Sequence, residues 1–275
     1  MKMNPEYPIF IPTKGRSKTP HTIKALSRIN VPFKIVVEKQ EYKQYSGIID
    51  KKSIIVVPHQ DKGLTETRNW IWDYVKDELK APYFWTMDDN IRTFYRLNKN
   101  MKYRVSSGTF LRSMEDFTQR YENVYVSGMQ YEMFVPRKRK APPFLLNTRI
   151  YSNMLIKTDI PYRNECFYND DTDLCLRILK DGYCTLLFQA FLADKIATMQ
   201  VKGGMTDYYE KTNHRKEFAE ELIRKHPDVA KLTWKFNRWH HQVDYRSFKR
   251  NRLIKKQGVV IPEGINNYGM SLVKK

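Results

Sequence analysis

Short apolar runs alternate with amphipathic or polar segments through the first ninety residues, and this alternation constrains the fold more than any other feature. Residues 7–12 (YPIFIP), 33–38 (FKIVVE), 53–58 (SIIVVP) and 82–87 (PYFWTM) are too short for buried helices and are rich in β-branched and aromatic side chains. They read as strands. Between them, TKGRSKTPHTIKALSRIN reads as a loop and helix and EYKQYSGII as a short helix, and residues 64–79 place Trp70, Ile71, Tyr74, Val75 and Leu79 at helical spacing. Strand–helix alternation predicts an α/β fold: a Rossmann-type, mostly parallel sheet flanked by helices. Ligands of such sheets sit beyond the carboxyl ends of the strands. Arg16, Glu38, Asp61 and the Asp88-Asp89-Asn90 cluster fall there.

The later chain is less regular. A helix is expected from Thr109, a strand at 124–131, a basic proline-rich loop at 135–144, and a strand pair at 149–160. Residues 171–181 read as a helix stopped by Gly182, and 184–198 as a further strand with flanking turns. Beyond Gly203 comes a helix, then a basic stretch rich in Trp, Phe and His. At 275 residues the chain exceeds the usual domain of about 100–200. The expected division is 1–215 as the main domain and 216–275 as a basic helical extension packed on it.

Lys and Arg number 49 against 30 Asp and Glu, a net charge of +19. Such a surplus suits a polyanionic partner, and the aromatic content favours nucleic acid over membrane. No run approaches the roughly 18 apolar residues of a membrane span. The opening MKMNPEYPIF lacks the apolar core of a signal peptide. Cys166, Cys175 and Cys184 form neither a C-x-x-C pair nor an even set, so a disulfide framework is not expected. A cytoplasmic location is expected.

Four groups of residues can carry chemistry. Asp88, Asp89 and Asn90 offer oxygen ligands to a hard divalent cation, Mg²⁺ or Mn²⁺; the alternative is a turn or helix cap. Asp170, Asp171 and Asp173 crowd a helix start, where capping explains one or two of them and a general base would explain another. Arg68 and Asn69, early in a helix that follows a strand, suit a phosphate or nucleobase, or else form a solvated face. His214, after Gly203-Gly204, is a metal or pyrophosphate contact or a solvated histidine. For polyanion binding there are Arg137-Lys138-Arg139-Lys140, and Trp234, Arg238, Trp239, His240, His241, Lys249 and Arg250. The tryptophans would stack on bases or pack the tail onto the main domain.

The order of these pieces is informative. A first strand ends in Pro-Thr-x-Gly-Arg, a helix carries Thr-Arg-Asn, and Asp-Asp-Asn follows Tyr-Phe-Trp-Thr-Met. Asn-Asp-Asp-Thr-Asp-Leu-x-Leu-Arg comes last. Over residues 7–215 this resembles nucleotide-sugar glycosyltransferases of the GT-A fold, family 2 type. Within them it is most similar to the phage TET/JBP-associated glycosyltransferases, through IFIPTKGR, VVEKQEY and MDDN. The resemblance implies sugar transfer, with inversion, from a UDP-sugar to hydroxymethylcytosine in double-stranded phage DNA, assisted by Mn²⁺ or Mg²⁺. It places Thr13, Arg16 and Glu38 around the nucleotide and gives Arg68 and Asn69 its grip. Asp88 meets ribose or metal, and Asn90 takes the second metal position, with Asp89 compensating for its missing charge. His214 completes the metal or pyrophosphate contacts. Asp171 is the base, with Asp170 where the family has Glu. The rival expectations are a metal-dependent nuclease or nucleotidyltransferase, a nonenzymatic DNA-binding protein, and a glycosyltransferase acting on protein or polysaccharide.

Overall fold

A computed structural model describes residues 3–138, 141–197, 200, 202–204 and 214–260. The strand–helix alternation forms as expected: β1 (Ile9–Pro12), α1 (His21–Arg28), β2 (Lys34–Val37), α2 (Tyr42–Ser46), β3 (Ile54–Val56), α3 (Leu64–Tyr74) and β4 (Tyr83–Met87). The expected helix at 64–79 ends in a widened π-type turn, Val75–Leu79, closed by Lys80 at φ 51°. Then come β5 (Ile91–Asn98), β6 (Met101–Arg104), α4 (Thr109–Thr118), β7 (Val124–Tyr131) and β8 (Phe144–Leu146). Next are β9 (Asn153–Lys157), α5 (Asp170–Lys180), β10 (Cys184–Lys195), α6 (His214–Lys225), β11 (Ala230–Lys235) and β12 (Arg238–Val243).

The main sheet has the order β3-β2-β1-β4-β9-β7-β10-β5-β6, with β8 on β10. The strands β3, β2, β1 and β4 pair in parallel, and so do β7 and β10. Among the described strands of this sheet, β5, β8 and β9 run against the common direction. Alternate strand residues face opposite ways, which builds two cores. Ile9, Ile11, Trp85 and Met87 pack with α1 and α4, whereas Phe10 and Phe84 pack with Ile71 and Trp72 of α3 and with Leu174 and Ile178 of α5. All three cysteines are free and buried. Among the described residues no helix is long and apolar enough to cross a membrane.

Three expectations change. The segment 149–160 holds one strand, β9, rather than a pair, because Ser152 (φ 54°) turns the chain immediately before it. Residues 91–104, unread in the sequence, form the β5–β6 hairpin around Lys99 and Asn100, both at positive φ. The extension expected as helical keeps its helix in α6, but its tryptophan-bearing stretch is the antiparallel β11–β12 hairpin. Phe236 (φ 52°) and Asn237 (φ 56°) make a two-residue turn whose twist matches the flanking strands. That conformation suits Asn and strains Phe, so the sequence signal was half missing.

The extension docks on the outer side of α5, where Leu176 and Leu179 meet Leu222 of α6 and Phe248. Asp173, fully buried, ties the two together. It accepts from His226 Nε2 at 3.0 Å and pairs with Arg177 at 2.9 Å and Lys225 at 3.3 Å. Burial pushes its pKa up, but the His226 hydrogen bond and the Arg177 and Lys225 charges outweigh burial and hold it below the ordinary carboxylate value. A depressed folded-state pKa stabilises above the unfolded value of about 4 and ceases to do so as pH falls through the folded one. Asp173→Asn should therefore cost about 3 kcal/mol in urea unfolding at pH 7. The variant should also lose part of the wild-type stability decline below about pH 4.

Candidate active site

One cavity of about 490 Å³ opens along the sheet edge where β1, β2, β3, β4, β7 and β10 all end. That size suits a nucleotide-sized ligand. Thr13, Lys14 and Arg16 reach it from the loop after β1, Glu38 from the end of β2, and Asp88, Asp89 and Asn90 from the end of β4. The last turn is held by α1: Thr22 donates its hydroxyl to the Asp88 carbonyl at 2.6 Å and accepts from the Ile91 amide at 2.9 Å. Asp170 and Asp171 enter from the start of α5, which follows Asn169 at φ 56°.

Paired charge organises the walls. Arg68, 5% exposed, donates to Asp88 Oδ1 at 2.9 Å and to Asp170 Oδ2 at 2.6 Å, joining β4 to α5. Asp89 pairs with Arg16 and accepts from the Thr13 hydroxyl at 2.7 Å. Arg16 also donates to the Gly203 carbonyl at 2.9 Å. Lys14 pairs with Glu38 at 2.8 Å and with Asp61. Burial would raise the Asp88 pKa, but the Lys195 and Arg68 cations outweigh it and hold the group well below the carboxylate range. Asp171 behaves oppositely. Burial, then the neighbouring Asp170 charge, push it up to about 7 against the pull of Arg68.

Lys195 was not anticipated from the sequence. It ends β10, where a register shift between Asp194 and Lys195 re-aims the side chain. Asp194 turns out to Arg92, and Lys195 turns into the cavity. Its ammonium lies 2.9 Å from Asp88 Oδ2, 2.6 Å from the Ser152 hydroxyl and 5.3 Å from the centre of the Tyr131 ring. Tyr131, Tyr151 and Ser152 were missed too. The available signal was a lone lysine closing a buried apolar strand, the same position that singled out Asp88.

Other expected residues lie elsewhere. Asn69 does not line the cavity; its side chain clamps the Asn164 backbone, donating to the carbonyl and accepting from the amide, both at 2.9 Å. His214 also lies outside the lining, bonded to Glu217 at 2.7 Å and stacked on Phe218. Arg238 lines the cavity, with His240 and His241 beside it on β12. Burial, helped by Arg149, pushes the His241 imidazole down to about 4, so it is neutral at pH 7. Trp234 and Trp239 pack edge to face at 5.0 Å outside the cavity, with Trp234 56% exposed. Arg137, Lys138, Lys249 and Arg250 are exposed; Arg139 and Lys140 lie outside the described residues.

A divalent cation fits these side chains poorly. Asp88 gives Oδ1 to Arg68 and Oδ2 to Ser152 and Lys195, while Asp89 gives one oxygen to Arg16 and the other to Thr13. Asn90 Oδ1 is buried without a partner, but one neutral oxygen does not hold a hard cation. Among the described residues no three His, Cys, Asp or Glu side chains converge as a metal set.

The fold is an α/β sheet with its cavity at the carboxyl ends of the strands. The model of the TET-Associated Glycosyltransferase family matches residues 7–204, and the chain belongs to that family. It is therefore a glycosyltransferase, which binds a nucleotide-sugar donor and an acceptor. No curated protein matches the chain. Among solved structures, an inositol-1-phosphate CTP transferase from T. maritima is 9% identical, with 81% of this chain and 98% of that one covered and a TM-score of 0.34. A mannose-1-phosphate geranyltransferase from Thermus thermophilus is 12% identical, with 83% and 65% covered and a TM-score of 0.32. Similarity this slight adds nothing about activity.

Arg68 should be indispensable to the folded site. Arg68→Met leaves Asp88 and Asp170 without their shared buried cation, and stability in urea should fall by about 3–5 kcal/mol.

Proposed function

We propose that this glycosyltransferase moves a sugar from a UDP-sugar to the hydroxyl of a hydroxymethylated pyrimidine, hydroxymethylcytosine, in double-stranded DNA. Asp171 carries the reading. It is the one carboxylate of the Asp88, Asp89, Asp170 and Asp171 set without a basic partner among the hydrogen bonds and ion pairs on this rim, and its pKa lies near 7. A base with that pKa is half ionised at neutral pH and accepts a proton readily as the new bond forms. In the step proposed, the acceptor oxygen bonds the anomeric carbon and its proton passes to Asp171. The bond from that carbon to the diphosphate breaks, and UDP leaves with the electron pair.

The DNA acceptor is supported by charge and shape. The chain carries +19, and the β11–β12 hairpin beside the cavity bears Lys231, Lys235 and Arg238 with exposed Trp234 and Phe236. Cationic side chains neutralise phosphates, and exposed rings stack on an unpaired base. An acceptor base inside a duplex has to leave the stack to reach the cavity.

Four outcomes test this reading. Asp171→Asn should keep UDP affinity in calorimetry and lose about 10²–10⁴-fold in transfer, read by mass spectrometry of hydroxymethylcytosine DNA. The base works deprotonated, so wild-type kcat/KM should fall about tenfold per pH unit below about 7, and this limb should vanish in the variant. DNA affinity should drop steeply, by about 10³-fold between roughly 50 and 200 mM salt. Reversing Arg137, Lys138, Lys249 and Arg250 together should weaken DNA binding and spare hydrolysis of free UDP-sugar. Flat salt dependence would move a protein or glycan acceptor ahead of DNA.

A further inference from the structure

Charge around the donor side of the cavity is already balanced by the chain itself. Asp88, Asp89 and Asp170 face three basic side chains, Arg16, Arg68 and Lys195, in direct contact. Each of the three cations has at most 14% of its side chain exposed. A divalent ion binding Asp88 would have to displace Lys195 or Arg68, stranding a buried cation at a large desolvation cost.

Lys195 is also built into place. The Ser152 hydroxyl touches Asp88 Oδ2 at 2.5 Å, Lys195 Nζ at 2.6 Å and the Tyr131 hydroxyl at 2.5 Å. Ser152 makes these contacts from a left-handed backbone, φ 54°, a conformation that strains a non-glycine residue. The Tyr131 ring covers one side of the ammonium. A lysine ammonium has three donors and no acceptor. Asp88 at 2.9 Å and Ser152 at 2.6 Å take two of them, and the Tyr131 hydroxyl at 3.3 Å takes the third, the longest of the contacts and the one a diphosphate oxygen would replace from the cavity that Lys195 lines.

We propose that Lys195, held by Asp88, Ser152 and Tyr131, takes the place of a divalent cation at the donor diphosphate, so that sugar transfer needs no metal. The inference rests on the nucleotide-sugar donor of the preceding reading. As the bond between the anomeric carbon and the diphosphate breaks, the leaving oxygen keeps the electron pair. Lys195 stays protonated and offsets the growing negative charge by a charge-assisted hydrogen bond, with Arg68 behind it. Among the described residues, the unpartnered Asn90 oxygen and the Asp171 carboxylate, which has no basic partner on this rim, pull toward a metal, and the experiment weighs them directly.

The test measures binding of UDP and of uridine by calorimetry, and transfer from UDP-sugars, each in excess EDTA and in Mn²⁺. Wild type, Lys195→Met and Lys195→Arg are compared. Wild-type UDP affinity and transfer should agree within about twofold in EDTA and Mn²⁺. Lys195→Met should lose about tenfold to a hundredfold in UDP affinity, the worth of one charged hydrogen bond, and keep its uridine affinity. Lys195→Arg should recover part of the loss. UDP binding or transfer by wild type that disappears in EDTA and returns with Mn²⁺ overturns the proposal alone. So does a Lys195→Met variant that binds UDP like wild type. If wild type binds neither uridine nor UDP under either condition, the donor reading falls and takes this proposal with it. The wild-type EDTA arm decides the matter even if Lys195→Met does not fold.

Discussion

The buried guanidinium of Arg68 is the contact on which the site depends. It comes from α3 and binds Asp88 at the end of β4 and Asp170 at the start of α5, so three elements distant in sequence share one charge. Each carboxylate alone would be an expensive buried anion. Together with Lys195 they form a network whose interior charge nearly cancels, which lets a polar cavity sit against a dry sheet edge. The arrangement leaves Asp171 out. Arg68 spends its contacts on Asp88 and Asp170, so Asp171 feels burial and like charge more than attraction, and its proton affinity rises. One ion-pair choice thus sets Asp88 and Asp170, the partners of Arg68, apart from Asp171, which is left without a basic partner.

A second tie places the extension. Asp173 lies one turn into α5 and points away from the cavity toward α6, where His226, Lys225 and its own helix partner Arg177 meet it. Helix α5 therefore presents acids on two sides. Asp170 and Asp171 face the cavity, and Asp173 anchors the segment that carries the β11–β12 hairpin to the cavity rim. Through that anchor Arg238, His240 and His241 become part of the site although they lie beyond residue 215.

Much of the fold was legible. Buried parallel strands read as continuous apolar runs, so β1 to β4 and the helices between them stood out, and strand-end geometry put Arg16, Glu38 and Asp88–Asn90 on one rim. The resemblance to the family, carried by the order of short motifs, pointed to a glycosyltransferase, and the family match agrees. The two hairpins were illegible because Lys99-Asn100 and Phe236-Asn237 lack the glycine that usually announces such turns. Asn69 was misplaced for a different reason. Its neighbour Arg68 faces the cavity, and the next residue along a helix points about 100° away.

Local pattern, in short stretches of sequence, determined the layers, the strand ends and the abundance of acids and bases near them. Pairing needed the tertiary structure. No spacing rule joins Lys195 to Asp88, since β4 and β10 are brought to one rim by the sheet order, and a single register shift decides which of Asp194 and Lys195 turns inward. Electrostatics in a buried site depends on distances of a few ångströms between residues far apart in the chain. The sequence alone therefore named the charged groups, while the fold decided which acids are neutralised by the protein and which one is left to take a proton.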